Sequence, residues 1–187
     1  THAGAPLPVD YALQVRQLCD QFGLALHLDG ARLFNAAVAQ NVSPRDIAEH
    51  FDSVSICLSK GLGAPVGSLL LGTKELIKVA RRWRKVLGGG MRQGGIIAAG
   101  GLHALTHHVS DLVIDHQRAE RVAKVLEAKF GTDAVRLATN MIHLNLSAAC
   151  YEKLARWLSD AGIKVGRPRW VFHRDIDDNA EAKVCDC

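Results

Sequence analysis

The run Ser53-Val54-Ser55-Ile56-Cys57-Leu58-Ser59-Lys60-Gly61-Leu62-Gly63-Ala64-Pro65-Val66-Gly67 constrains the fold more tightly than any other stretch of this chain. Its opening residues alternate small polar with apolar, partly β-branched types, the pattern of a strand. Gly61, Gly63 and Gly67, with Pro65 between them, then rule out a regular helix and allow close backbone approach. Lys60 is thereby placed at the C-terminal end of a strand. In an open α/β sheet the crevice beyond those ends is where ligands bind. An amine held there beside a flat cofactor can form an imine with a carbonyl. The competing reading is a surface lysine in a glycine-rich loop.

The flanking segments supply the other elements of such a sheet. A first helix is predicted with Asp10 as its cap and with Tyr11, Val15, Leu18, Cys19 and Phe22 on one apolar face, closed by Gly23. Leu24 to Leu28 reads as a short buried strand that ends at Asp29-Gly30-Ala31-Arg32. Asp29 at that edge could pair with a protonated ring nitrogen, and Arg32 could hold an anion. A D-G turn with a helix-capping aspartate explains the same residues without chemistry. Leu33 to Gln40 is an Ala-rich helix, Ser43-Pro44 opens another, and Gly67 to Gly72 is a further strand.

Thr73 is predicted to cap a helix that runs into Arg81-Arg82-Trp83-Arg84-Lys85. That basic run is short, lies on a helix and comes with no recognition fold, which argues against nucleic acid. Gly88-Gly89-Gly90 before Met91-Arg92-Gln93 brings Lys85 and Arg92 to the two ends of one tight turn, an arrangement suited to a phosphate or a subunit contact. The small residues Gly94, Gly95, Ala98, Ala99, Gly100 and Gly101 then permit close packing against a neighbour. His103 and His107 have a helical metal-ligand spacing, but with no third ligand they are read as exposed histidines.

From Val109 a helical pattern continues to Phe130 and is ended by Gly131. A strand at Met141 to Leu146, a helix from Ala148 to Ala161, and strands at 163–165 and 170–172 complete a small α/β lobe. With 187 residues, 48% of them hydrophobic, the chain can bury a substantial core. No apolar stretch approaches the roughly 20 residues of a membrane span, and the start does not read as a signal peptide. The five cysteines lack C-x-x-C spacing and read as reduced thiols, with no metal site. A cytoplasmic setting is expected, with the mitochondrial matrix as the alternative. The net charge of +4 excludes little.

Three separated runs now carry a resemblance. They are His27-Leu28-Asp29-Gly30-Ala31-Arg32-Leu33-Phe34-Asn35-Ala36, Cys57 to Gly67, and Arg82-Trp83-Arg84-Lys85-Val86-Leu87-Gly88-Gly89-Gly90-Met91-Arg92-Gln93. In content and spacing they resemble the low-specificity L-threonine aldolases, pyridoxal-phosphate (PLP) enzymes of the aspartate-aminotransferase fold. The resemblance implies an α/β, fold type I, PLP-dependent transferase-like architecture with a mostly parallel sheet. Residues 1–108 would be the C-terminal half of the PLP-binding large domain and 109–187 a small C-terminal α/β domain.

By the same resemblance Lys60 would hold pyridoxal 5'-phosphate covalently, and Asp29 would keep the pyridine nitrogen protonated. Arg32 would contact the cofactor hydroxyl or the substrate carboxylate. Lys85 and Arg92 would be phosphate-side cations able to reach a neighbouring subunit, which implies a homo-oligomer, a dimer or a tetramer. Arg169-Trp170-Val171-Phe172-His173 resembles the strand whose arginine grips the substrate carboxylate, against the alternative of an edge-strand surface arginine. His2 stands where the family has a histidine near the cofactor. The implied reaction is aldol cleavage of L-threonine or L-allo-threonine to glycine and acetaldehyde. The family's N-terminal phosphate cradle does not precede Thr1, and after Ile176 its terminal helix is replaced by a short acidic stretch. The alternative is therefore an inactive relic, or a partner subunit without the cofactor cradle.

Overall fold

The structure, a computed structural model, describes residues 4–186. They divide into two compact units, one of Leu7–Ser110 and one that joins Gly4–Pro6 to the chain from Asp111 onward. No helix among the described residues is long and apolar enough to cross a membrane.

The first unit runs α1 (Val9–Gln21), β1 (His27–Asp29), α2 (Leu33–Gln40), α3 (Pro44–Ala48), β2 (Ser53–Cys57), β3 (Ser68–Gly72), α4 (Lys74–Val86) and α5 (Gly95–His107). Its sheet has the order β1-β2-β3. β1 pairs parallel with β2, placing Asp29 opposite Ser55, and β3 runs antiparallel to β2 with Cys57 opposite Ser68. Chain connectivity explains the mixture. Parallel strands need a crossover, which α2 and α3 provide, whereas the glycine-rich loop between β2 and β3 is too short for one and returns the chain antiparallel. Parallel pairing among the described residues is thus confined to β1 and β2. Val54 and Ile56 of β2 pack with Leu33, Ala37 and Ile47 to form the core. α3 begins as its sequence suggests: Asp46 N donates to Ser43 Oγ at 3.2 Å, and Ser43 N donates to the Asp46 carboxylate at 2.9 Å.

Two strand boundaries differ from expectation for one shared reason. The expected buried strand from Leu24 shrinks to His27–Asp29, and Leu24 is exposed. The strand expected at 163–165 does not form. In each case the helix before it ends in a Schellman turn on a glycine with positive φ, Gly23 or Gly162. Leu24 N then donates to Cys19 O and Ile163 N to Leu158 O, both at 2.8 Å, so the first residues of the would-be strands are committed to the helix end. The cap of α1 also differs: the N-cap residue is Pro8, and Asp10 lies within the first turn, where its charge favours the helix dipole.

The second unit contains α6 (Leu112–Phe130), a 3-10 turn at Thr132–Ala134, β4 (Val135–Ala138), β5 (Met141–Leu144), α7 (Ala148–Asp160), β6 (Arg169–Val171) and α8 (Asp178–Asp186). The helical pattern expected to run on from Val109 is interrupted at 108–111 before α6 begins. β4 was not legible in the sequence. It pairs antiparallel with β5, which pairs antiparallel with β6. Ile142 and Leu144 meet Val122 and Leu126 of α6 and Leu154 and Leu158 of α7 in the core.

The acidic stretch after Ile176 folds as α8, contrary to the expected loss of a terminal helix. Asp177 caps it by accepting from Ala180 N at 2.7 Å. Arg121 grips the buried Glu181 with Nε and Nη2, and Arg118 pairs with Asp178. A two-pronged Arg-carboxylate contact supplies the docking that composition alone does not suggest.

Asp115 on α6 is only 2% exposed, and its Oδ2 has no hydrogen-bond partner among the described residues. Burial pushes its carboxyl up from the ordinary 3.8, against the pull of Arg118, His173 and Arg174. The unfolded chain therefore loses this proton at lower pH than the folded one, and stability falls as pH rises from about 4 through the raised folded value. We expect Asp115→Asn to leave stability at pH 4 nearly unchanged and to raise it at pH 7 by on the order of 1 kcal/mol. Thermal unfolding at the two pH values checks this; equal shifts at both would contradict it.

Candidate active site

Lys60 lies at the exposed tip of a loop that folds back on itself. Leu58 N donates to Gly67 O and Ala64 N to Leu58 O, both at 3.0 Å, and Gly63 N donates to Lys60 O at 2.8 Å. Gly63 and Gly67 sit at φ +68° and +118°, where a side chain would be strained. Leu58, Leu62 and Ala64 point inward and are buried, so the loop is anchored by its apolar residues while the amine is left in solvent.

That anchoring comes from α5. A Cβ on Gly101 would lie 2.9 Å from Leu58 Cδ1, and one on Gly100 would lie 2.9 Å from Pro65 Cδ. The small residues expected to allow close packing thus have an identified neighbour, the lysine loop. His108, just past the end of α5, donates from Nδ1 to the Leu62 carbonyl at 2.6 Å. Its role was missed in the sequence, where a lone histidine 46 positions away gives no signal of that contact. His103 and His107 are exposed as expected, with ring centroids 4.6 Å apart and ring planes tilted by 43°.

Asp29 ends β1, the parallel neighbour of the strand that leads to Lys60. A Cβ on Gly30 would come within 2.8 Å of Ser55 O, so only glycine lets the Asp29 turn sit this close to β2. Asp29 Oδ1 accepts from Ala31 N at 3.1 Å, the turn contact of a D-G sequence, and its other oxygen makes no hydrogen bond among the described residues. Arg32 follows as the residue preceding α2 and is half-buried. The lysine and the carboxylate are therefore brought to the same ends of two adjacent parallel strands.

Lys85 is in the last turn of α4, and Arg92 follows the Gly88–Gly90 turn. The Lys85 side chain lies over Gly90, where a Cβ would meet its Cδ at 2.6 Å. Both cations are exposed, and neither is ion-paired among the described residues. No residue of α4 is buried, and Trp83, Val86, Leu87 and Ile96 are exposed. Arg169 belongs to the second unit, at the start of β6. Tyr151 donates its hydroxyl to Arg167 O at 2.7 Å and accepts from Trp170 Nε1 at 3.0 Å, which pins the approach to that strand. His2 lies outside the described residues.

A model of the beta-eliminating lyase family matches residues 1–149. The low specificity L-threonine aldolase of Escherichia coli K12 is 41% identical over 98% of this chain and 56% of its own length. The chain thus spans about half the length of the curated relatives it matches. A crystal structure of a putative L-allo-threonine aldolase from Listeria monocytogenes superposes with a TM-score of 0.81 at 20% identity, over 97% of this chain and 56% of that one. An ornithine aminotransferase from Toxoplasma gondii superposes at 0.65 with 16% identity, over 94% and 45%. The architecture is therefore the fold shared by these aldolases and that aminotransferase.

The contact between α5 and the lysine loop yields a test in which two effects oppose. Gly101→Ala gains about 0.5–1 kcal/mol of helix propensity but forces an overpacked contact that costs about 1–3 kcal/mol. Net destabilisation is expected in the native background. With Leu58→Ala already in place the same change should become neutral or stabilising. Denaturant unfolding of the four proteins checks this, and an additive cycle would show that the contact is not tight.

Proposed function

Because the chain belongs to the beta-eliminating lyase family, we propose that it carries the lysine-bearing portion of a PLP-dependent aldolase that cleaves L-threonine or L-allo-threonine to glycine and acetaldehyde. The observation that carries this reading is the placement of Lys60 and Asp29 at the same ends of adjacent parallel strands, with the lysine loop buttressed from behind by α5. On this reading the first unit is the C-terminal half of the large domain and the second is the small domain.

The residues present suit the cofactor. An exposed amine, a carboxylate oxygen not engaged by the turn, and a glycine that admits close backbone approach form one edge of the sheet. Bound PLP would supply an electron sink for the pair released when the Cα–Cβ bond of a β-hydroxy amino acid breaks. Lys60 would hold the cofactor through its amine. Asp29 would stabilise the protonated ring nitrogen, while its contact with Ala31 N sets the direction of the carboxylate. Arg32 would take the cofactor hydroxyl or the substrate carboxylate, and Arg169 would grip that carboxylate with its fork.

Lys85 and Arg92 would serve the phosphate of a neighbouring copy, making the protein a homo-oligomer. The exposed apolar side chains of α4 and of the following turn support such a contact. The four described thiols are free, in keeping with a cytosolic or matrix compartment.

Borohydride reduction of the chain after incubation with PLP tests the cofactor assignment. A stable adduct should map to the peptide that contains Lys60 and disappear in Lys60→Ala; an adduct that survives the change assigns the cofactor to another lysine. For the ring-nitrogen role, Asp29→Ala should lower acetaldehyde turnover far more than it weakens the Michaelis constant for threonine, because protonation matters most where carbanion charge develops. Unchanged turnover would reduce Asp29 to a turn residue.

A further inference from the structure

The register of the second sheet makes a row of two arginines and a histidine, of which the proposed function uses only Arg169. Arg136 of β4 stands opposite His143 of β5, and His143 stands opposite Arg169 of β6. Directly paired residues project from the same face of a sheet, so the three form a line across it. Val135, Ile142, Leu144 and Trp170 occupy the alternate positions and pack into the core. The cationic face is thus the one turned away from it. With strands about 4.8 Å apart, the two arginines at the ends of the row are separated by about 10 Å at the backbone.

This row borders an open cavity of about 610 Å³ that is also lined by Arg167, Asn145 and Asp133. Among the described residues none of Arg136, Arg167 and Arg169 is ion-paired, and Asp133 is the one carboxylate in the lining. Three guanidiniums against one carboxylate leave an unneutralised positive field, which concentrates anions in a cleft. The backbone that carries Arg167 and Arg169 is also held in place. Tyr151 OH bridges to the carbonyls of Gly166 and Arg167 at 3.0 and 2.7 Å, and Leu144 N donates to Pro168 O at 2.9 Å. A backbone already held in place leaves only side-chain freedom to be lost when the arginines bind.

We propose that this face binds a small dicarboxylate, with one carboxylate on Arg169 and the other on Arg136, and with His143 between them. One carboxylate matches one arginine fork and cannot serve both ends of a row of this width. The proposal rests on the reading of Arg169 as a carboxylate anchor. It extends that reading to substrates or effectors of one chemical class, amino acids with a second carboxylate on the side chain.

Calorimetric titration of the full chain at low ionic strength with succinate and with butyrate, which have the same carbon count, provides the test. Succinate should bind roughly tenfold or more tightly than butyrate, as expected for one further charge-assisted contact. Arg136→Gln should bring succinate down to the level of butyrate while leaving butyrate unchanged, and Arg169→Gln should weaken both. Circular dichroism of the two variants controls for folding, and both changed side chains are exposed. Equal affinity for the two acids, intact succinate binding in Arg136→Gln, or inorganic phosphate binding as tightly as succinate would each overturn the proposal. Failure of the borohydride adduct with succinate selectivity intact would remove the PLP reading alone.

Discussion

The close approach of α5 to the loop after β2 is the contact on which the first unit depends. Leu62 is 3% exposed and Ala104 of α5 is fully buried, so Leu58, Leu62 and Ala64 are packed as core while Lys60, Pro65 and Val66 reach solvent. The approach requires glycine at 100 and 101, since side chains there would enter the space of Pro65 and Leu58. It also requires the loop to satisfy its own backbone, through the bonds from Leu58, Gly63 and Ala64 and the bond from His108 to Leu62. A reactive amine has to be both exposed and fixed in position, and this loop separates the two tasks. Leucine, alanine and proline provide the fixing, and Lys60 stands clear of them.

The ends of the strands follow from the same economy of backbone groups. β1 is short because the end of α1 uses the first amide that a longer strand would need, and β2 then pairs with it only as far as the Asp29–Ser55 level. Asp29 is the last residue of β1, paired with Ser55, so its carboxylate stands at the C-terminal end of the strand. Gly30 allows the turn to leave at once over Ser55.

The second unit has the larger apolar core, and polar contacts fasten its outlying segments to that core. The antiparallel sheet offers one face to α6 and α7 and leaves arginines and a histidine on the other. Tyr151 and Trp170 tie the irregular segment before β6 to α7 by hydrogen bonds. Arg118 and Arg121 hold α8 against α6 through its acidic side chains. Because the charged partners are some 60 positions apart, that helix depends on the tertiary fold.

The sequence by itself determined the elements whose signals are local. The capping box at Ser43-Pro44, the cap at Thr73, the alternation of β2 and the helices of the first unit follow from contacts within a few residues, and the three family runs sufficed to identify the fold and the family. It also placed Lys60 after a strand, since glycine and proline end regular structure wherever they cluster. Tertiary structure decided the rest. Whether a strand begins at Leu24 or three residues later depends on a helix end that claims the amide, and whether the residues after Ile176 form a helix depends on two distant arginines. The packing of Gly101 on Leu58, the hydrogen bond of His108 and the row of Arg136, His143 and Arg169 all join residues that are remote in the chain. Such proximity is set by strand register and packing, which no single segment encodes.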